Sequence, residues 1–338
     1  MTENYKFSET VEGFKRPDLT ENEIKTIINA GLTVEDFFEI ISGQPLAEGS
    51  RALIFELPSD SPKSVIKVWK DRMRDSDRAD IEGLTLRLLR MHDFKNTPKL
   101  QGHLRTANII FEEKIEGEPV KDFNSEMINK LAVALADLHS IRLNSYGKPF
   151  TERKKGTRLD YLHNSVEMLR EMCQSFNSQG DMSNLLQTAL NKIELEADDH
   201  KEAFIGDNFT LIHFDLNPGN ILYSKDQDNI IIIDWEQASA GDNAMDIAKL
   251  FLKIDFNADQ QREFLEQYKN CLTVDDPNFS KRLHVYDSFV LINSILWRLR
   301  VLKDMPEQIS EETEKRFYDR VKNGFNKELN KLKSELLQ

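Results

Sequence analysis

Read from its N-terminus, the chain switches between apolar patterns of helical and of strand period. Residues 20–31, TENEIKTIINAG, place apolar residues at helical spacing, with Thr20 positioned to cap the first turn and Gly31 just past the last. Three short apolar runs follow, FFEIISGQ, RALIFELP and SVIKVWK. Their alternation and β-branched content predict strands, with SDSPKS as the turn between the last two. From Asp75 to Met91 helical spacing returns behind an acidic first turn. KLQGHL and NIIFEEKI then predict two more strands, and EGEP a break.

After Glu118 the pattern changes. Residues 125–141, SEMINKLAVALADLHSI, predict an amphipathic helix opened by Ser125. A polar, turn-rich stretch over 144–160 precedes helical patterning over 160–204. Two β-type runs, TLIHF and NIIIIDW, interrupt it around a loop, and from 244 onward the chain reads as helices ending in a highly charged segment, 311–338. The implied fold class is α+β and bilobal. A small antiparallel-sheet N-lobe spans residues 1–116, and a larger, mostly helical C-lobe spans 117–338.

Composition narrows the partners. No apolar run approaches the about 18 residues that a membrane span needs, and the polar, acidic start lacks the order of a secretory signal. A cytoplasmic location without a membrane partner is the expectation. Cys173 and Cys271 stand in no metal-type spacing. With 45 basic against 58 acidic residues the net charge is −13, which argues against a nucleic-acid partner. It mildly favours a cationic or neutral substrate, although solubility alone accounts for it. Oligomeric state is left open.

The chemistry concentrates in residues 211–250, LIHFDLNPGNILYSKDQDNIIIIDWEQASAGDNAMDIAKL. Asp215 follows a short apolar run, Asn220 comes five positions later behind a Pro-Gly turn, and Asp234 ends the run IIII. Each residue alone reads as a turn former, a cap or a strand terminator. Together they meet the needs of phosphoryl transfer. One carboxylate orients an acceptor hydroxyl, while an amide and a second carboxylate hold the divalent cation on the phosphates. Such hard oxygen donors suit Mg²⁺.

HFDLNPGNIL followed by IDWEQASAGDNAMDIAKL resembles the aminoglycoside phosphotransferase and choline/ethanolamine kinase family, a branch of the protein-kinase-like fold. The resemblance implies a small-molecule kinase using ATP or GTP with Mg²⁺. In it Asp215 is the catalytic base, His213 orients the catalytic loop, and Asn220 and Asp234 are metal ligands. Asp246 is expected to cap a helix or lock the loop, and His139 to pack behind it. Lys67 in VIKVWK and Glu82 on the next helix stand where kinase-like folds hold the α/β-phosphates. Gly49 and Ser50 form either a phosphate-covering turn or an ordinary hairpin. The main chain of Glu113 and Ile115 would meet the purine. Acceptor candidates are Glu236 (or else a surface acid), Trp297 (or else core) and Asp287, for an aminoglycoside-like antibiotic or a small amino or hydroxy metabolite. A protein kinase is opposed by the missing GxGxxG, DFG and APE signatures. A nucleotide-binding scaffold is opposed by the intact Lys67, Asp215, Asn220 and Asp234.

Overall fold

The computed structural model describes residues 19–49, 52–58, 63–70, 78–148, 153–176, 180–305 and 312–336. The first part contains α1 (Glu21–Asn29), α2 (Val34–Ser42), β1 (Ala47–Glu48), β2 (Ala52–Glu56), β3 (Ser64–Trp69), α3 (Arg78–Met91), β4 (Leu100–Leu104) and β5 (Ile109–Glu113). The strands form one antiparallel sheet in the order β1-β2-β3-β5-β4.

Strand period two divides that sheet between two cores. Ile66 and Val68 of β3 join Phe55, Ile109 and Phe111 against Ile27 of α1 and Phe37 and Ile41 of α2. Trp69, Ala52 and Ile110 face the other way, with Ala79, Ile81 and Leu86 of α3. β3 is therefore buried throughout, and Lys67, paired in register with Ile110, lies on the α3 side.

One segment departs from the sequence pattern. FFEIISGQ, expected as a strand, supplies most of α2. Thr33 accepts the Asp36 N–H and Asp36 returns to the Thr33 backbone, a capping box that opens a helix just before the apolar block. Phe37, Phe38 and Ile41 then share one buried stripe, and Phe37 stacks on Phe111 with ring centroids 5.9 Å apart. Thr20 and Gly31 behave as expected. Thr20 caps α1, and Gly31 follows it at φ 82°, the left-handed region glycine enters without penalty.

The remainder contains β6 (Glu118–Pro119), α4 (Ser125–Leu138), β7 (Arg142–Leu143), β8 (Tyr146–Gly147), β9 (Arg153–Lys154), α5 (Arg158–Ser175), α6 (Asp181–Asp199), β10 (Phe209–Ile212), β11 (Ile221–Ser224), β12 (Asn229–Ile232), β13 (Ser239–Gly241), α7 (Asn243–Lys253), α8 (Ala258–Cys271), α9 (Phe279–Asp304) and α10 (Glu312–Leu336). Asn124, not Ser125, caps α4, accepting the Met127 N–H at 3.0 Å. α9 runs through the centre of this lobe, packed by α5, α6, α7 and α10. Two small sheets, β7-β10-β13-β8-β9 and β12-β11-β6, lie in the same lobe. They deliver the ends of β10 and β12, where the chemistry-bearing residues sit.

Candidate active site

β10 ends at Ile212, and the next three residues make a sharp exit. Phe214 takes φ 62°, a left-handed conformation that an aromatic residue enters only when neighbours impose it. Asp246 imposes it. Its carboxylate accepts the His213 N–H at 2.9 Å and the Phe214 N–H at 2.8 Å, and also meets His139 Nε2 at 3.2 Å. Burial pushes the Asp246 carboxyl up, but the hydrogen bonds and the imidazoles of His139 and His213 bring it below its ordinary value. His139 Nδ1 in turn meets the Tyr268 hydroxyl at 2.7 Å. Asp246 thus locks the loop, while the cap of α7 is Asp242, which accepts the Ala244 N–H.

His213 is fully buried. Its Nε2 lies 2.9 Å from the Ile233 carbonyl and must donate there, which leaves Nδ1 to accept the Asp215 N–H at 3.2 Å. The ring therefore bridges the β10 exit to the end of β12. Asn220 Nδ2 donates to the Asp215 carbonyl at 2.9 Å and lies 3.4 Å from Asp215 Oδ2. The Ile233 N–H donates to the Asn220 carbonyl at 3.0 Å, so Asn220 is stitched directly beside the residue preceding Asp234.

From the N-lobe, Lys67 Nζ reaches Glu82 Oε2 at 2.7 Å and Asp234 Oδ1 at 2.5 Å. Glu82 has no exposed side-chain surface and accepts the Trp235 N–H at 3.2 Å through its other oxygen. Although burial pushes the Lys67 ammonium down, Glu82, Asp234 and Glu112 lift it well above its ordinary value. The segments that carry Lys67–Glu82 and Asp234–Trp235, linked by contacts spanning 153 and 167 residues of sequence, are thereby joined at one point. Asp234 itself adopts φ 68°.

Residues 213, 215, 220, 234, 67 and 82 converge. The remaining expected residues do not all join them. Gly49 N–H donates to the Ala52 carbonyl at 2.9 Å between β1 and β2, and Ser50 lies outside the described residues. Glu113 N–H is engaged by the Lys99 carbonyl at 2.9 Å, and Ile115 lies in the segment between β5 and β6. Glu236 is buried, and each carboxylate oxygen holds an N-lobe donor: Trp69 Nε1 at 2.9 Å and Arg78 at 2.6 Å. Its position is that of a tie between lobes. Asp287 lines a cavity of about 130 Å³ with Phe251, Leu252, Gln261 and Lys331, which includes no residue from 211–236. Trp297 is 41% exposed on α9, neither core nor caged; among the described residues no other aromatic ring packs on it.

Two neighbours of the site went unread in the sequence. Glu112 of β5 adds a third carboxylate around Lys67 and is itself pushed up to about 7 by burial, with Lys67 opposing. Its register opposite Val65, on the Lys67 face, was a usable signal. Lys249 of α7 places its ammonium 4.0 Å over the Phe214 ring. It stands three positions after Asp246, on the helix face that meets the loop.

The donors present suit a magnesium ion. Among the described residues no group of three or more His, Cys, Asp or Glu gathers as an all-protein metal cage. Asp234 offers a carboxylate, and Asn220, whose carbonyl accepts the N–H of the residue before Asp234, offers an amide oxygen. That sparse, hard set is what Mg²⁺ takes from protein when phosphates and water complete its shell.

With this geometry in view, the relatives are informative. A LicA homolog of Mycoplasma capricolum subsp. capricolum is 26% identical over 180 residues, 53% of this chain and 65% of that relative, less than two thirds of its length. A choline kinase from Cryptosporidium parvum Iowa II superposes with a TM-score of 0.60 at 17% identity, covering 87% of this chain and 89% of that one. The Plasmodium vivax ethanolamine kinase gives 0.58 at 18% identity, covering 85% and 80%. These likenesses show a shared kinase-like fold. Residues 44–278 match the model of the phosphotransferase enzyme family, a span that holds every residue of the converging site, and the chain belongs to that family.

Proposed function

We propose that the protein transfers the γ-phosphoryl group of ATP or GTP to a hydroxyl of a small molecule. The observation that carries this reading is the junction of the Lys67–Glu82–Asp234 ion-pair cluster with the Asp215–Asn220 loop through the Ile233–Asn220 hydrogen bond. Phosphoryl transfer asks chiefly for positioning and charge stabilisation, and this junction offers both.

In this mechanism Asp215 orients the acceptor hydroxyl and takes its proton. The acceptor oxygen forms the new bond to Pγ as the bond from Pγ to the β-phosphate bridging oxygen breaks, and the nucleoside diphosphate leaves with that electron pair. Lys67, steadied by Glu82, holds the α/β-phosphates. Asp234 and Asn220 would hold Mg²⁺, which when bound neutralises phosphate charge. His213 acts as a positioning residue, since both ring nitrogens are engaged by backbone.

The similar solved proteins include kinases of choline and of ethanolamine and phosphotransferases of spectinomycin and of macrolides, which supports a small hydroxyl-bearing acceptor. Glu236, whose two carboxylate oxygens are held by Trp69 and Arg78, is set aside as an acceptor contact, and the acceptor is read as a small amino or hydroxy metabolite or an aminoglycoside-like molecule. The test is nucleotide-coupled turnover with Mg-ATP and Mg-GTP over a panel of amino alcohols, hydroxy acids, sugars and aminoglycosides. Acceptor-dependent ADP or GDP release should fall about 10²- to 10⁴-fold in Asp215→Ala, with nucleotide affinity little changed. Nucleotide binding with no turnover on any acceptor would favour a scaffold, and label transferred to protein would favour a protein kinase.

A further inference from the structure

The stretch 230–236, which contains Asp234, is bound to the N-lobe along its length. Asn96, between α3 and β4, donates to the Ile230 carbonyl at 2.6 Å and accepts the Ile232 N–H at 2.8 Å through its own carbonyl. Glu82 accepts the Trp235 N–H, and the Trp235 ring meets Phe94 edge-on with centroids 6.1 Å apart. Around Asp234 these contacts form two parallel rungs. Lys67 and Trp69 alternate onto one face of β3, Arg78 and Glu82 stand one turn apart on α3, and Glu236 follows two residues after Asp234. The first rung is Lys67–Glu82–Asp234. The second is Trp69–Arg78–Glu236, with Trp69 Nε1 at 2.9 Å and Arg78 at 2.6 Å from the two Glu236 oxygens.

A ligand treats the two rungs differently. Bound nucleotide draws Lys67 to the phosphates and Asp234 to the metal, so their direct contact at 2.5 Å has to loosen. The second rung can stay closed. Trp69 and Glu236 are both buried, and the Arg78–Glu236 contact is a charge-assisted hydrogen bond. Trp69 also joins the rungs to each other. Its ring lies beneath Lys67, with the ammonium 4.9 Å from the centroid, while its N–H holds Glu236. One buried carboxylate that accepts from β3 and from α3 fixes its distance to both elements at once.

We infer that Trp69 and Arg78 are positioning residues for phosphoryl transfer. Through Glu236 they brace the segment bearing Asp234 against β3 and α3, and so keep Lys67 and Asp234 at a common separation while a ligand parts their ion pair. The inference rests on the kinase reading and adds to it two residues that touch neither nucleotide nor acceptor. Without the brace only a fraction of the molecules presents Lys67 and Asp234 together. A ligand that needs both then binds more weakly by that fraction, and one that needs Lys67 alone loses less.

The experiment measures binding of Mg-ADP, and of ADP in the presence of a chelator, to the full chain by calorimetry, with urea unfolding to show that each variant is folded. Trp69→Phe keeps a ring beneath Lys67 and removes the N–H donor, and Arg78→Met removes the guanidinium. Each should raise the Kd for Mg-ADP about tenfold and that for metal-free ADP about twofold or less. The double variant should lose less than the product of the two single effects, because both act through one carboxylate. Arg78→Lys should restore most of the affinity. A general loosening of the fold would move both Kd values alike, so equal shifts would overturn the assignment, as would unchanged binding in folded Trp69→Phe and Arg78→Met. An effect confined to Glu236→Gln, with the magnesium dependence of binding shifted, would assign Glu236 to the metal itself and overturn the brace. Wild-type protein that binds neither form of ADP would instead sink the kinase reading, and the role of the brace with it.

Discussion

Two lysines flank the catalytic loop in opposite electrostatic states. Lys67, on the N-lobe sheet, is buried against Glu82 and Asp234 with Glu112 close by, and its ammonium is held well above the ordinary range. Lys249, on α7, has an aromatic ring beneath it and no carboxylate partner, and is pushed down to about 8. The protein places two carboxylates in direct contact with the first, while Asp215 and Asp246 act on the second without an ion-pair contact among the described residues. A lysine that the fold itself neutralises is part of the architecture.

The largest difference expected between them is in stability. Lys67→Met leaves Glu82 buried without its partner and should destabilise the protein by about 3–5 kcal/mol in urea unfolding. Lys249→Met removes an unfavourable charge and should leave stability unchanged or slightly raised. Equal losses at the two positions would break the comparison.

Next comes the clamp between them and the loop. Asp246→Ala removes the acceptor of two buried N–H groups and of His139, and a loss of about 3 kcal/mol follows. The same change frees Phe214 from φ 62°, so turnover should fall further than stability alone accounts for, while Mg-nucleotide affinity is retained. A variant that unfolds no more easily yet keeps full activity would show that the loop holds itself.

A pH profile sharpens the comparison at Lys249. The groups acting on it are Asp215 from the catalytic loop and Asp246 and Lys253 from α7, with Glu328 and Arg298 beyond Lys253. Its folded pKa, about 8, lies below the ordinary 10.5, so the unfolded chain binds the proton more tightly. The penalty is fully present below pH 8 and is relieved as pH rises toward 10.5, so this group makes stability grow with pH over that window. The smallest effect belongs to Trp297→Ala, which should shift stability by no more than about 0.5 kcal/mol and leave acceptor KM unaltered. A raised KM there would return α9 to the acceptor site.

Much of the site was legible because its signals are local. Asp215 and Asn220 lie five residues apart in one loop, and Asp234 ends the apolar run whose outer strand pairs with β11. Lys67 announced itself by strand alternation between Ile66 and Val68. The α2 segment was misread because a short apolar block fits either period, although the Thr33–Asp36 cap beside it favoured a helix. Glu236, Asp287 and Trp297 illustrate a different limit. Their residue types fit an acceptor site, but only packing assigns Glu236 to Trp69 and Arg78, Asp287 to a separate cavity, and Trp297 to the surface.

By itself the sequence determined most of the elements, the α+β fold class and the grouping of Asp215, Asn220 and Asp234 in one short stretch, since hydrophobic period, turn chemistry and short spacings act within a few residues along the chain. The tertiary structure alone decided which charges meet. That Lys67 gains three acidic neighbours, that Asp246 reaches back 33 and 32 residues to hold His213 and Phe214, and that Lys249 lies over the Phe214 ring all depend on contacts between distant segments. Electrostatic energy follows distance and burial in space, and neither is written in the spacing of residues along a chain.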